Sequence, residues 1–280
     1  MNGQKVKKLI KSTLIHLELL IVAVIVLYPL IWVVGTSFSP VKGGISRGSM
    51  IPENATFNNY IRLFTETKYP IWFKNTLYVA VMTMIVSVLV HTLTAFVFAR
   101  FPFKGRKIGL LVIMILQTFP SFLGLTALYM VALNFNMLNN LNMLVIVYSS
   151  TSIPGSIWLV RGYMLNIPKS LDEAAYIDGA SKMQVFIRII LPLSAPIITF
   201  IAITSFMCPW MDYMLPRYLI NKNEVRTMAI GLYDMITSNN ADFTAFCAGS
   251  VIVAIPITIL YMFFQKYIVN GLTAGANKGE

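Results

Sequence analysis

Two serine-led pairs carry the most informative spacing in this chain. Ser170 precedes Glu173 by three residues, and Ser181 precedes Gln184 by three. In each pair the hydroxyl can accept from the backbone N–H three residues on, while the carboxylate or amide reaches back to the serine N–H, so each pair can start a helix. Asp172 and Glu173 also fall in a first turn, where the helix dipole favours negative charge. Gly179 supplies a stop between the two starts, because glycine accepts the left-handed backbone that ends helices. The spacing predicts short helices over 171–178 and 182–191, joined by a Gly-Ala-Ser turn. Ala174, Ala175, Gly179 and Ala180 leave a small-residue edge that another protein's backbone can approach closely. Met183, Phe186 and Ile190 fall on one face of the second helix. Pro168 disfavours helix just before the first start, and Pro192 is expected to end the second. Ser194 and Pro196 open the next apolar stretch. The chemistry available here is mechanical: a rigid elbow to be gripped, with no bond to be broken.

Covalent and nucleotide chemistry find no support elsewhere. There is no G-x-x-x-x-G-K-[ST] and no Rossmann glycine pattern. Cys208 and Cys247 both sit in apolar runs, without metal spacing or a disulfide framework. No metal cluster, nucleophile–base pair or haem ligand pair supports an enzyme. Asp212 invites two readings, an interfacial structural role or a place in a pore, because charges inside spans usually face a cavity or partner. Trp210 and Tyr213 beside it could stack on a sugar ring or anchor at the membrane surface. Gln117, Thr118 and Ser121 interrupt an apolar run next to Pro120 and are candidates for cavity lining. His91 reads as a packing histidine; His16 and Glu18 read as interfacial. Pro209 and Pro216 can bend the helix that carries them.

These residues need a scaffold, and composition says which. Of 280 residues, 57% are hydrophobic and only 12% charged, and the mean hydropathy is +0.71. A soluble domain carries about 25% charge, so most of this chain must face lipid or other apolar helices. Disorder is excluded on the same ground. The net charge of +11 fits basic residues gathered in cytoplasmic loops better than a nucleic-acid partner. A spanning helix needs about 20 apolar residues. Six stretches qualify: 14–38, 75–99, 108–133, 142–163, 195–216 and 246–268. The expected fold is therefore all-α, with six transmembrane helices and an elbow between the fourth and fifth. The first stretch follows Lys5, Lys7, Lys8 and Lys11, but it is too long for a signal core and reads as a retained helix.

Lys and Arg counts orient the spans. With the N-terminus inside, fourteen of the 22 basic residues lie on inner segments, including the tight Arg100, Lys104, Arg106 and Lys107 group. The resulting order is a cytoplasmic N-terminus (1–13), the first helix (14–38) and an outer loop (39–74) with a Gly-rich part near Lys42–Ser49. The core (75–268) follows, with the elbow at 166–194, and then a cytoplasmic tail (269–280).

The run Glu173-Ala174-Ala175-x-x-x-Gly179, then nine residues, then Ile189-x-Leu191-Pro192 resembles the EAA signature of ABC importer permeases. More of the chain is similar to the carbohydrate branch of that family, of the maltose/maltodextrin type. Tyr28-Pro29, Trp32, Ser37-Phe38 and Phe57-Asn58-Asn59-Tyr60 are typical of it, and the tail from Val269 to Gly279 is similar to the ending of its smaller permease subunit. The resemblance implies that Glu173, Ala174, Ala175, Gly179, Ala180, Leu191 and Pro192 couple to an ATPase subunit, and that Gly275, Asn277 and Lys278 in the tail contact it. It further implies a second homologous permease, two ATP-binding cassette subunits and an external sugar-binding protein, met by the loop from Arg217 to Thr244. No cofactor is expected on this chain, since ATP and Mg²⁺ would belong to the partner subunits. An ion-gradient-driven transporter would need intramembrane carboxylates, and Asp212 and Glu18 lie only near span ends.

Overall fold

The computed structural model describes residues 3–40, 52–118, 120–238 and 241–276; the Gly-rich stretch near Lys42–Ser49 lies outside them. Among the described residues the chain is helical, with no strand. The helices are α1 (Gly3–Ser37), α2 (Asn58–Thr65), α3 (Tyr69–Arg100), α4 (Arg106–Thr118), α5 (Leu125–Asn134), α6 (Leu141–Thr151) and α7 (Ile153–Leu165). They continue with α8 (Ser170–Ile177), α9 (Lys182–Val185), α10 (Leu191–Leu193), α11 (Ala195–Met211), α12 (Met214–Leu219), α13 (Met228–Thr237) and α14 (Phe243–Ala276). Three stretches are long and apolar enough to cross a membrane: Lys7–Ser37, Tyr69–Arg100 and Phe243–Gln265. Two bent pairs bring the number to five if each is one span: α6 with α7, bent by 49°, and Lys182–Leu193 with α11, bent by 80°.

The third expected stretch, 108–133, is divided. Helix α4 stops at Thr118, two residues before Pro120, and a 3-10 turn at Ser121–Gly124 leads into α5. Pro120 lacks the N–H that a continuous helix would use and restricts the residue before it. The segment from Arg217 to Thr244, expected as a loop, contains the helix α13, which buries Met228, Ile230 and Gly231.

The chain divides into two compact units. One comprises Met1–Tyr69 and Leu232–Ala254. Within it, Asn59 Nδ2 donates to the carbonyls of Ser37 (2.9 Å) and Ser39 (2.8 Å), and the Ser37 hydroxyl pairs with the Tyr60 hydroxyl at 2.7 Å. The Asn-Asn-Tyr run thus satisfies carbonyls that the end of α1 leaves without helical partners. Asp242 caps α14 by accepting from the Ala245 N–H at 3.0 Å and the Thr244 hydroxyl at 2.9 Å, and it pairs with Arg62.

The other unit comprises Pro70–Gly231 and Ile255–Glu280. Here α3 organises two cores. Toward its start, Val79 packs with Leu144, Val147, Leu219 and Ile230. Toward its end, Ala95, Phe96 and Ala99 pack with Val160, Met164, Phe186 and Ile190. Between them lies His91, fully buried, whose Nε2 donates to the Ser149 carbonyl at 3.1 Å. The packing reading of this histidine agrees with that contact. The Thr76 hydroxyl accepts from the Met228 N–H at 2.7 Å, so α3 caps the first turn of α13.

Two predictions follow from these contacts. A methyl at Gly231 would lie 2.1–2.5 Å from ring atoms of Trp72, whereas nothing stands within 4 Å of one at Gly162. Gly231→Ala should lower the stability of the detergent-solubilised protein by about 1–3 kcal/mol, with Gly162→Ala neutral or slightly stabilising; thermal melting reads both. Burial alone would raise the Asp242 carboxyl, but the Ala245 N–H, the Thr244 hydroxyl and Arg62 outweigh it and hold the group below the usual carboxylate range. Its stabilisation is therefore complete above about pH 4, the ordinary Asp value, and is lost as pH falls through the lowered one. Asp242→Asn should flatten the acid limb of the melting temperature against pH; an unchanged limb would contradict the assignment.

Candidate functional site: the elbow at residues 166–194

The first helix of the elbow, α8, starts one residue earlier than its spacing suggested. Lys169 occupies the N-cap position with a helical backbone (φ −66°, ψ −24°) and makes no side-chain cap bond. The Ser170–Glu173 box does not form. The first N–H groups turn back instead to the carbonyls of Pro168 and Lys169, at 2.9–3.3 Å. Asp172 does not serve the helix end either: it is buried, and its Oδ2 lies 2.7 Å from Arg100 Nε at the end of α3. Glu173 is exposed.

The stop and the second start are as expected. Gly179 has φ +81°. Its N–H donates to the Tyr176 carbonyl at 3.1 Å, and the Ala180 N–H to the Ala175 carbonyl at 2.9 Å. This is the paired closure that a left-handed residue after a helix permits. At Ser181 the reciprocal box is complete: the Ser181 Oγ accepts from the Gln184 N–H at 3.3 Å, and Gln184 Oε1 accepts from the Ser181 N–H at 2.7 Å.

Beyond it the helix widens. Phe186–Ile190 is a π turn, and the Leu191 N–H donates to the Phe186 carbonyl five residues back. Pro192 therefore does not end the helix. It sits at the start of α10, and the break falls at Ser194, where the chain bends by 80° into α11. The wider turn also changes the buried face. Val185, Phe186 and Ile190 are buried, while Met183 is 56% exposed, because one extra residue per turn shifts the 3.6-residue register. The Phe186 ring meets Phe96 of α3 at 4.8 Å.

Arg100 ties α3 to the elbow twice, through Asp172 and through an Nη2 donation to the Ile167 carbonyl at 3.0 Å. Burial pushes the Asp172 carboxyl up from its usual range and nearby Glu173 adds to this, while Arg100 and Lys169 oppose it. A cleft of about 560 Å³ opens over this pair and is also lined by Lys169, Glu173, Tyr176 and Lys182. Around it the elbow leaves apolar side chains bare: Ile177 is 86% exposed, and Leu171, Ile187 and Leu193 are exposed as well. Ala174 and Gly179 are exposed, Ala175, Ala180 and Leu191 half-buried, and Pro192 exposed. Of the seven residues singled out for coupling, Glu173, Ala174, Gly179 and Pro192 are thus exposed, while Ala175, Ala180 and Leu191 pack in part against the second core.

The pore candidates separate. Gln117 lines a cavity of about 780 Å³ with Ser150, Thr151, Ser152, Ser156 and Thr204. Three of these hydroxyls lie at the bend between α6 and α7, where Ser152 and Pro154 interrupt the helix. No charged residue lines this cavity among the described residues. Asp212 ends α11; its carboxylate accepts from the Tyr148 hydroxyl at 2.9 Å and the Met214 N–H at 2.8 Å. It lines a second cavity of about 240 Å³, which shares Leu128 and Thr151 with the first. Trp210 is buried, edge-on to Phe73 at 5.2 Å, and Tyr213 packs against the first core. Ser121 opens the 3-10 turn, but its side chain lies outside the described residues, as do Asn277 and Lys278. Gly275 falls in the last turn of α14. Sequence reasoning missed Tyr148 and Thr151, and gave Asp172 only a helix-dipole role and Arg100 only a topology role. The Ser-Ser-Thr-Ser run before Pro154 was the available signal for the second of these.

Residues 91–273 match the model of a family described as "Binding-protein-dependent transport system inner membrane component". The galactooligosaccharides transport system permease protein GanQ of Bacillus subtilis is 39% identical, covering 98% of both chains. The maltodextrin transport system permease protein MalD of Streptococcus pneumoniae is 36% identical, covering 99% of both. In structure, the chain is similar to one from a bacterial ABC transporter involved in import of the acidic polysaccharide alginate, with TM-score 0.81 and 22% identity over 96% of this chain and 98% of that one.

The turn at Gly179 carries its own prediction. Gly179→Ala has free space but must hold a left-handed backbone, at about 1–2 kcal/mol. It should reduce ATP-driven uptake modestly. Gly179→Leu, which also places bulk on the small-residue edge, should insert normally yet lose uptake while nucleotide hydrolysis continues. Normal uptake by the leucine variant would count against the elbow as a docking surface.

Proposed function

Given that the chain belongs to the family of binding-protein-dependent transport system inner membrane components, we propose that it is the permease subunit of an ATP-driven sugar importer. Its relatives are transport permeases and not enzymes, sugar permeases among them. On this reading the chain is a multi-pass protein of a bacterial cell membrane. Helices α4 and α5 with the turn between them form one span, which makes six, with both termini cytoplasmic. The basic residues around Arg100–Lys107 support that orientation.

The observation that carries the reading is the elbow. It has two short helices, locked by a left-handed glycine and a complete capping box, that leave a small-residue surface and bare apolar side chains. Such a rigid knob suits a groove on a cytoplasmic ATPase subunit. Closure of two such subunits would move the elbow and switch the pore between inward- and outward-facing states. The remaining partners are a second, homologous permease and an external sugar-binding protein. ATP and Mg²⁺ belong to the ATPase subunits, and Gly275, Asn277 and Lys278 are assigned to contact one of them.

The cargo we propose is a neutral oligosaccharide, a maltodextrin or a galactooligosaccharide. Gln117 and the serine and threonine hydroxyls of the larger cavity offer donors and acceptors without charge, which suits sugar hydroxyls and not uronates. The test is a sugar panel in vesicles holding the whole complex, with ATP inside and binding protein outside. Uptake of neutral maltodextrins or galactooligosaccharides, with alginate fragments excluded, is expected. Accumulation against a gradient without any ATPase subunit would overturn the transporter class, and preferred uptake of acidic oligosaccharides would overturn the cargo.

A further inference from the structure

Arg100 is the last residue of α3, and it is almost fully buried together with its partner Asp172, their side chains 4% and 8% exposed. Its guanidinium makes two separate attachments: Nε to the Asp172 carboxylate in the first turn of α8, and Nη2 to the Ile167 carbonyl just before Pro168. The two contacts bracket the entry into the elbow. The other arm of the elbow meets the end of α3 through Phe186 on Phe96 and through the Lys182 ammonium over Phe101, the next residue, at 4.9 Å. A buried ion pair adds little net stability, because desolvation offsets most of its attraction. What it supplies is a fixed geometry. This pair is also incompletely satisfied: Arg100 Nε, Arg100 Nη1 and Asp172 Oδ1 have no hydrogen-bond partner among the described residues, so the 2.7 Å contact is an ion pair without hydrogen-bond geometry. A pair with spare donors and acceptors beside an open cleft can release and re-form as the elbow moves.

We propose that Arg100 and Asp172 form the latch that transmits movement of α8 to α3, as positioning residues for coupling. The inference rests on the reading of the elbow as the ATPase-docking segment. Arginine suits the task because its planar fork can hold a carboxylate and a carbonyl at once, which a lysine ammonium does less well. Without the latch, α8 can still dock and permit hydrolysis, but its displacement is no longer passed to α3.

The test measures sugar imported per ATP hydrolysed by the whole complex in vesicles, for wild type and four variants. Arg100→Met with Asp172→Leu removes both charges and leaves none buried alone. It should assemble normally, hydrolyse ATP within about twofold of wild type, and lower the import ratio about tenfold, the usual scale of coupling between sites. Arg100→Lys should fall between. Asp172→Asn alone strands the arginine and should reduce the amount of assembled complex. Exchanging the charges, Arg100→Asp with Asp172→Arg, should recover part of the ratio. A purely structural role predicts loss of assembled complex with an unchanged ratio in whatever remains. That result, or a wild-type ratio in the apolar double variant, overturns the latch. If the wild-type complex shows no ATP-driven import at all, the reading of the elbow fails and the latch falls with it.

Discussion

Backbone N–H and C=O groups that leave water must find partners within the protein, and in hydrocarbon only a helix or a closed barrel meets that demand along a whole segment. A chain with 12% charged residues lives under this constraint almost everywhere. It explains why α1, α3 and α14 run 32–35 residues without interruption. It also explains why the interruptions are informative. Each costs hydrogen bonds, so each persists only where protein groups or a polar cavity repair it. The bend at Ser152 is repaired by hydroxyls of Ser150, Thr151 and Ser152 donating to the carbonyls of Val147 and Tyr148. The start of α12, just after α11 ends, is repaired by the Asp212 carboxylate accepting from the Met214 N–H. These breaks border the larger and the smaller cavity, respectively.

The elbow solves the same problem in a smaller space. Two helices of eight and four residues are too short to be stable alone. Their ends must be closed locally and their faces packed. Gly179 and the Ser181–Gln184 box close the ends, while Phe186 and Ile190 pack on α3 and α7. The π turn reconciles the two demands. Its wider ring moves Val185 inward to join Phe186, and it lets Pro192 follow without a clash that would stop the helix early. The result is an elbow closed at its helix ends and bent at Ser194.

How much of this was legible in the sequence depends on how local each cause is. The second capping box and the glycine stop involve residues within five positions of one another, and both formed. Where the first box was expected, the N–H groups turn back to Pro168 and Lys169, and Asp172 is held by the distant Arg100, a residue that in sequence looked like a mere topology charge. Five of the six apolar stretches correspond to long apolar helices or bent helix pairs, while 108–133 is divided at Pro120, where polar residues already marked an interruption; the bend before Pro154 was not read, since that run stays apolar on average. The buried face of the elbow was off by one residue, as Met183 shows, because a 3.6-residue period cannot reveal a π turn that packing on Phe96 stabilises. Gln117 was readable as a polar amide in an apolar run. The hydroxyls that share its cavity come from α6, α7 and α11, and only their convergence in the fold brings them together.

Charge is distributed in a way that suits transport through this chain. The larger cavity has amides and hydroxyls and no charge, so a neutral sugar there would exchange water hydrogen bonds for similar ones and meet no deep trap. A charged lining would bind an ion strongly and then release it slowly. Charges instead gather at the cleft over Arg100 and Asp172, outside the apolar stretches. There an ion pair fixes geometry where α3 meets the elbow. On the proposed reading, cargo would meet weak contacts in the cavity, and the elbow would be held by the ion pair. That division follows from the side chains alone, and it accounts for the elbow, not the cavity, carrying the buried ion pair.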